Sequence, residues 1–500
     1  MGYVGGQQAA PLLIEGLTQL EYRGYDSAGI AVLGNGGTRV AKTAGRVRDL
    51  QATLPRRFSG KVSIGHTRWA THGAPTDVNA HPHLDASGRV SVVHNGIIDN
   101  AAALRQRLTD DGVELTSETD TEVLAHLVAR SEADSLEAAV LEALAQVEGT
   151  YGIAVMHADH PDRIVVARNG SPLVLGIGDR ETYIASDLAA VVRHTSQVVH
   201  LDDGELATVS ASGFSTFTHD RQPTHKLPSA VDISVEDFDL NGHQHFMLKE
   251  ILEQPASAER VLRGRLDDRF GTAHLGGLNL DPREARAIRR VKILGCGSAY
   301  YVGQMGASMV EELARIPADA EAASEFRYRN PIIEPDTLYV AVSQSGETAD
   351  TLLAVQEIRR KGGRVVGLVN VVGSTIAREC DGGIYLHAGP EVAVASTKAL
   401  TTMAIGFALL ALSLGRVRDL SISDGKRLIA GLRRLPGQIA EILESEDRLA
   451  EAAKSLAQAE NLFFVGRVRG YPVAREGAQK LKEVSYRHAE AYQTSELKHG

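Results

Sequence analysis

Apolar and polar residues alternate in short stretches over roughly the first 220 positions: KVSIGHTRW (61–69), RVSVVHNGII (89–98), RIVVARNG (163–170) and SPLVLGIG (171–178). A period of two marks strands with one face buried, and turn residues separate them. A helical rhythm over about 7–21 and about 119–131 predicts two helices. Strands gathered together with helices to either side predict a layered α/β arrangement built on antiparallel sheets.

Residues about 221–290 are polar and punctuated by proline, which reads as a linker followed by a helix beginning near His245. From Val291 the rhythm changes. RVKILGCGSAYYVGQMGASMVEELA, TLYVAVSQSGETADTLLAVQEIRRKG and RVVGLVNVVGSTIAREC each pass from a continuous apolar run through small or hydroxyl residues into a helix. That order predicts a parallel, doubly wound sheet. NLFFVGRVRGYPVAREGAQKLKEVSYRHAE (461–490) is a weak repeat of the first of these units. The predicted organisation is a first domain over 1–220, a linker and connecting helix over 221–285, a parallel domain over 286–425, and the start of a second over 455–500. The apolar run MAIGFALLALSLG (403–415) is too short for a bilayer and is expected to be a buried helix.

The chain has 500 residues, is 43% hydrophobic and 23% charged, and carries a net charge of −10. That balance argues against a sequence-independent grip on nucleic acid. Two distant cysteines, Cys296 and Cys380, exclude a disulfide framework and fit a reducing cytoplasm. The pairs His81/His83 and His243/His245 lack companions at zinc-like spacing and are read as structural; no metal and no membrane contact are expected.

Three stretches of the first half carry candidate chemistry. Taken alone, Asn95-Gly96 is a hairpin-turn signal, and Ser117 with Asp120 three residues on looks like a capping box. Taken together they suggest more. Arg68 is a planar donor suited to a carboxylate and Asp120 an acceptor suited to an ammonium group. Asn95 and the Gly96 N–H supply two donors to an oxyanion. Those groups hold an α-amino acid by both ends while its side-chain amide is attacked.

EYRGYDSAG, HTRWATHG, NAHPH, HNGIIDN and SETDTEV resemble the glutamine amidotransferases with an N-terminal cysteine nucleophile, in particular the branch that aminates fructose 6-phosphate. The resemblance implies an N-terminal-nucleophile (Ntn) hydrolase αββα sandwich. It implies glutamine ligands at Arg68, Trp69, Thr71, His72 and Asp120, and an oxyanion site at Asn95 and Gly96. Trp69, the sole tryptophan, would lie beside an ammonia path, a buried structural role being the alternative.

Family members open Met-Cys-Gly-Ile-Val-Gly, whereas here Met1 directly precedes Gly2. GYVGG then reads as the stub of a strand whose beginning is missing. In the family the cysteine thiol attacks the amide with its own α-amine as base. Neither Cys296 nor Cys380, both in another domain, can replace it, so the chain as written is expected not to hydrolyse glutamine.

In the second half, AVSQSGETADT (341–351) places Ser343, Gln344, Ser345 and Thr348 between a strand and a helix, which is either an anion site or plain helix capping. GCGS (295–298) and VASTKA (394–399) are two further strand-end loops. Ligands of open parallel sheets bind at such ends, and no GxGxxG favours a dinucleotide. The loops resemble the phosphosugar site of sugar isomerase (SIS) domains, which implies ligands at Cys296, Ser298, Ser343, Gln344, Ser345, Thr348 and Ser396. Where the family often reads Thr-Ser this chain has Ser298-Ala299, removing one phosphate hydroxyl.

Lys480 and Glu483 are three residues apart, hence on one helix face, and by themselves read as a solvated ion pair. By resemblance Glu483 moves a proton between adjacent sugar carbons, Lys480 assists, and His499 opens the sugar ring across a subunit contact. The family's Schiff-base lysine would lie beyond Gly500. The resemblance implies transfer of the glutamine amide nitrogen to fructose 6-phosphate, giving glucosamine 6-phosphate and glutamate. It further implies no cofactor and a homodimer or larger assembly through the SIS domains. The alternatives are a phosphosugar-binding regulatory protein with a degenerate glutaminase domain, and an amidotransferase acting on phosphoribosyl pyrophosphate.

Overall fold

The computed structural model describes residues 1–21, 24–34, 37–55, 58–70, 72–231 and 235–499, and the chain divides into two compact units, Met1–Asp239 and Leu240–Gly500.

The first unit is built on two antiparallel sheets. One runs, in spatial order, Ser229–Ala230, Gln197–His200, Val174–Gly178, Glu181–Ala185, Gly2–Val4, Val62–Arg68, Ser27–Gly34 and Gly37–Ala44. The other runs Pro223–Thr224, Gly213–Thr218, Glu205–Ser210, Arg163–Asn169, Gly149–His157, Val90–Ile98 and His83–Leu84. Alternation along the strands makes the layers. Val62, Ile64 and Ala31 of the first sheet meet Val93, Ala154, Met156 and Val166 of the second in one buried apolar cluster. The first sheet's other face takes the helix Ala9–Leu20 through Leu13 and Leu17. The second sheet's outer face takes Ala101–Asp110, Glu122–Ala129 and Leu136–Leu144. The result is the αββα sandwich of the Ntn hydrolases. The helix packs closely on the strand at Gly65, where a Cβ would stand 3.0 Å from Leu17 of the helix and 2.8 Å from Ile30 of the neighbouring strand.

Two local readings give way. Asn95-Gly96 forms no hairpin turn: both lie inside the strand Val90–Ile98, opposite Gly152 and Tyr151. Ser117 and Asp120 form no capping box either, because the helix begins at Glu122 and the Ser117 hydroxyl donates to the Glu122 carboxylate at 2.8 Å. The stretch read as linker contributes two short edge strands, Pro223–Thr224 and Ser229–Ala230.

The second unit centres on a five-stranded parallel sheet in the order Ala318–Ala322, Arg290–Gly295, Thr337–Ser343, Arg364–Val369, Gly383–Tyr385. Helices Ser298–Ala314 and Lys398–Arg416 cover one face, and Ala323–Tyr328, Ala349–Arg360 and Thr375–Glu379 the other. This is the doubly wound arrangement. Lys398–Arg416 is long and apolar enough to cross a membrane by composition, yet 72% of that window is buried inside the unit. Its Phe407 seats against Gly306, where a Cβ would stand 2.4 Å from the ring, so it is a core helix. A separate parallel pair, Asn461–Gly466 and His488–Gln493, is joined by the helix Gly470–Ser485.

Candidate active site

In the first unit, Arg68 ends the strand Val62–Arg68 and is only 4% exposed. Its guanidinium donates to the carbonyls of His72, Gly73 and Ala74 and so holds the loop that follows. Asn79 joins that loop to the segment before Asp120: its Nδ2 donates to the Ala74 carbonyl and to Glu118 Oε2, each at 3.0 Å, and its Oδ1 accepts the Glu118 N–H at 2.9 Å. Buried Asp120 accepts the Ile98 N–H at 2.9 Å, and its Oδ2 stands 4.0 Å from His94 Nδ1. Three stretches far apart in sequence therefore form one bonded cluster: the Arg68 loop, the Asn95–Gly96 strand and the Asp120 turn. Gly96 holds φ at +141°, and a Cβ there would lie 2.1 Å from the Thr150 carbonyl oxygen, so no larger residue fits. Asn95 and His72 are exposed. Trp69 is 58% exposed, against the buried reading, with its ring edge-on to Tyr25 at 5.4 Å. Thr71 lies outside the described residues.

Behind this cluster stands a stack of imidazoles that sequence reasoning treated only as a pair. The rings of His66 and His81 are 4.5 Å apart, and those of His81 and His83 are 4.9 Å apart. Burial pushes His66 and His81 well below the usual imidazole range and His83 down to about 3. His83 Nε2 meets Thr119 Oγ1 at 3.0 Å, next to Ser117 and the Glu122 carboxylate. Burial alone would raise the Glu122 carboxyl; the nearby His126 ring, the amides of Thr116 and Ser117 and the Ser117 hydroxyl outweigh it and hold the group ionised. The pattern SETDTEV carried this signal, since six of its seven residues bear side-chain carboxylates or hydroxyls.

In the second unit three loops follow parallel strands. After Thr337–Ser343, the Ser343 hydroxyl lies 2.8 Å from Thr348 Oγ1 and accepts the Gly346 N–H at 2.9 Å. Gly346 takes φ +68°, and a Cβ there would fall 1.9 Å from Ser374 Oγ. The Ser345 hydroxyl accepts the Glu347 N–H at 3.1 Å, and the Gln344 carbonyl accepts the Asn370 N–H. After Arg290–Gly295, the Cys296 thiol sits 3.6 Å from Thr351 Oγ1 and is raised by burial. Ser298 opens its helix but donates to Glu476 Oε1 at 2.8 Å. In the third loop Glu391 accepts the Ser396 hydroxyl at 2.9 Å and the N–H groups of Thr397 and Ala399.

Lys480 and Glu483 share one face of Gly470–Ser485, with Lys480 Nζ 2.6 Å from Glu483 Oε2 and 3.4 Å from Glu476 Oε1. Glu476 escaped sequence reasoning. It is 7% exposed, and burial raises its carboxyl. Its i,i+4 spacing from Lys480 was the available signal. His499 is exposed in the short turn Leu497–His499, after the strand His488–Gln493. Among the described residues no group of three or more His, Cys, Asp or Glu side chains forms a metal cage.

Residues 39–244 match the family model of the glutamine amidotransferase domain, and residues 286–413 and 455–500 match that of the SIS domain. The whole chain aligns, at 48% identity over 510 residues, with 83% of a Chlorobaculum tepidum protein named glutamine–fructose-6-phosphate aminotransferase (isomerizing). The chain belongs to this family. A Streptomyces coelicolor protein of the same name is 46% identical, with all of this chain aligned to 82% of it. Among solved structures, the C-terminal domain of glucosamine–fructose-6-phosphate aminotransferase from Francisella tularensis matches with a TM-score of 0.50 and 34% identity, covering 52% of this chain and 73% of that one.

Proposed function

We propose that this aminotransferase moves the amide nitrogen of glutamine onto fructose 6-phosphate, with isomerisation, to give glucosamine 6-phosphate and glutamate, and that its two units divide the work. The domain assignment follows the sequence reading: a glutaminase over 1–220, a connector over 221–285, a first SIS domain over 286–425 and part of a second over 455–500.

In the glutaminase, Arg68 and the loop it holds, with Trp69, Thr71 and His72, receive the glutamine carboxylate end. Asp120 receives the α-ammonium group, and Asn95 with the Gly96 N–H stabilises the oxyanion. The sheet register supports this arrangement. Gly2 faces Ile64, and each step back along the first strand advances the partner by one. The third residue ahead of Met1 therefore falls opposite Arg68. In a chain where Cys-Gly-Ile-Val precedes Gly2, that residue is the cysteine.

The loops carrying Cys296, Ser298, Ser343, Gln344, Ser345, Thr348 and Ser396 receive the sugar phosphate. The observation that carries the reading is the Ser343–Thr348 turn. It places hydroxyls and main-chain N–H groups, ordered by left-handed Gly346, at the carboxyl end of the central parallel strand and the start of a helix. Glu483 takes the proton from the sugar carbon with Lys480 beside it, and His499 serves ring opening. Assembly as a homodimer or larger through the SIS domains, without nucleic acid or membrane partners, and residence in the cytoplasm complete the proposal.

Calorimetric titration of the chain with fructose 6-phosphate, against fructose as control, tests it. Binding of the phosphate ester alone, weakened about tenfold or more by Ser343→Ala with Thr348→Val, is expected. Equal binding of fructose, or full binding by the double variant, contradicts it.

A further inference from the structure

We propose that Glu250, on the helix Phe246–Leu252, is a positioning residue for the phosphosugar site, acting by holding the loop that carries Ser396; this rests on the proposed role of that loop. Glu250 is 1% exposed, and its Oε1 accepts the N–H of Val392 at 2.6 Å and of Ala393 at 3.1 Å. The two amides are spent on no strand or helix, so this one carboxylate satisfies both. Three residues further on, Ser396 donates to Glu391, which also caps the start of Lys398–Arg416 through Thr397 and Ala399. Glu250 thus fixes one end of a short loop whose other end is fixed by Glu391.

The grip belongs to a longer strap. Lys398 pairs with Glu253, Thr401 donates to Gln254 at 2.6 Å, and Ser257 and Arg260 donate to the carbonyls of His387 and Ala388 at 2.7–3.1 Å. Residues 250–260, which lie within the connector, thereby bind residues 387–401. Within this strap Glu250 is the carboxylate whose whole bonding is to the loop backbone, whereas Glu253 spends its charge on Lys249 and Lys398. A buried carboxylate is a costly choice for a merely structural brace. Its value is that two amide donors to an ionised acceptor fix the loop more tightly than neutral bonds.

The charged groups that act on Glu250 are Glu391 on the loop and Lys398 at the start of its helix; Lys249 on its own helix pairs with Glu253 just after it, and Arg260 and His387 meet further along the strap. Burial raises the Glu250 carboxyl to about 7, the two amides and Lys398 opposing and Glu391 adding to the shift. The ionised form is the one that grips both amides, so sugar-phosphate affinity is expected to fall as pH drops from 8 to 6 by more than the ligand's own ionisation accounts for.

The test uses the whole chain and fructose 6-phosphate, with Glu250→Gln and Glu250→Asp. At pH 8, Glu250→Gln is expected to raise Kd about tenfold while thermal unfolding stays close to the parent. Its Kd should vary less with pH than the parent's, and hydrogen exchange at 390–397 should quicken. Glu250→Asp is expected to fall between the two and keep the pH step, which preserves the test if the glutamine variant does not fold. A folded Glu250→Gln, or failing that Glu250→Asp, that binds with the parent's affinity and pH profile overturns the inference. Failure of the parent itself to bind the sugar phosphate would instead overturn the reading of the site.

Discussion

Lys480 Nζ lies 2.6 Å from Glu483 Oε2, three residues along the same helix. On an exposed surface such a pair adds little. Here the lysine is also within 3.4 Å of Glu476, whose buried Oε2 has no hydrogen-bond partner among the described residues and whose Oε1 accepts Ser298 from the neighbouring parallel domain. One ammonium group shared between two carboxylates fixes where the outer one points, as a base that abstracts a carbon-bound proton requires.

Replacing Glu483 by Gln should therefore remove proton transfer and leave binding. Solvent hydrogen exchange into fructose 6-phosphate, followed by NMR, is expected to slow about 100-fold or more, with Kd changed by less than about threefold. Unchanged exchange would reassign the base.

Gly346→Ala tests the phosphate turn by backbone geometry alone. Left-handed φ and a Cβ position 1.9 Å from Ser374 Oγ both oppose the substitution. A cost of about 2–4 kcal/mol is expected in denaturant titration, with loss of sugar-phosphate binding. Gly373→Ala, also left-handed but with open space around the new Cβ, should cost less. Equal effects would show that the close approach to Ser374 is unimportant.

Much of this was legible in the sequence because it depends on local period. Alternation in RVSVVHNGII marked the strand Val90–Ile98 of the second sheet, and the apolar TLYVAVS marked the buried parallel strand before the phosphate turn. What was missed depends on partners distant in sequence. Asn95-Gly96 has hairpin chemistry, but 149–157 pairs straight across it and holds it in the strand. Ser117 has cap chemistry, but Glu122 takes its hydroxyl. Glu250 looks like one more charge on an amphipathic helix; only the fold brings Val392 and Ala393 to it.

The imidazole stack predicts the acid behaviour of the first unit. His66, His81 and His83 are held neutral by burial, so their folded pKa values lie below the unfolded value near 6.5. The stability that this neutrality contributes is present above about pH 6.5 and is lost as pH falls, by up to about 1.4 kcal/mol per pH unit for each imidazole. Trp69 is the sole tryptophan and lies in this unit. Its fluorescence is expected to report a melting temperature that drops between pH 7 and pH 5, and less steeply in His81→Asn. A flat profile over that range would contradict the buried, neutral stack.

The glutamine site can be tested through the strand register. A chain in which Cys-Gly-Ile-Val precedes Gly2 is expected to release glutamate from glutamine. Asp120→Asn in that chain keeps an acceptor for the Ile98 N–H but removes the charge facing an ammonium group. It should raise KM for glutamine about tenfold or more, with a smaller effect on kcat. An effect confined to kcat would place Asp120 elsewhere in the mechanism.

A crystal of the chain soaked with fructose 6-phosphate tests the central claim most directly. The account predicts the phosphate within hydrogen-bond distance of the Ser343, Ser345 and Thr348 hydroxyls, with the sugar carbons directed toward Glu483. Phosphate density at another site, or sugar carbons directed away from Glu483, would contradict it.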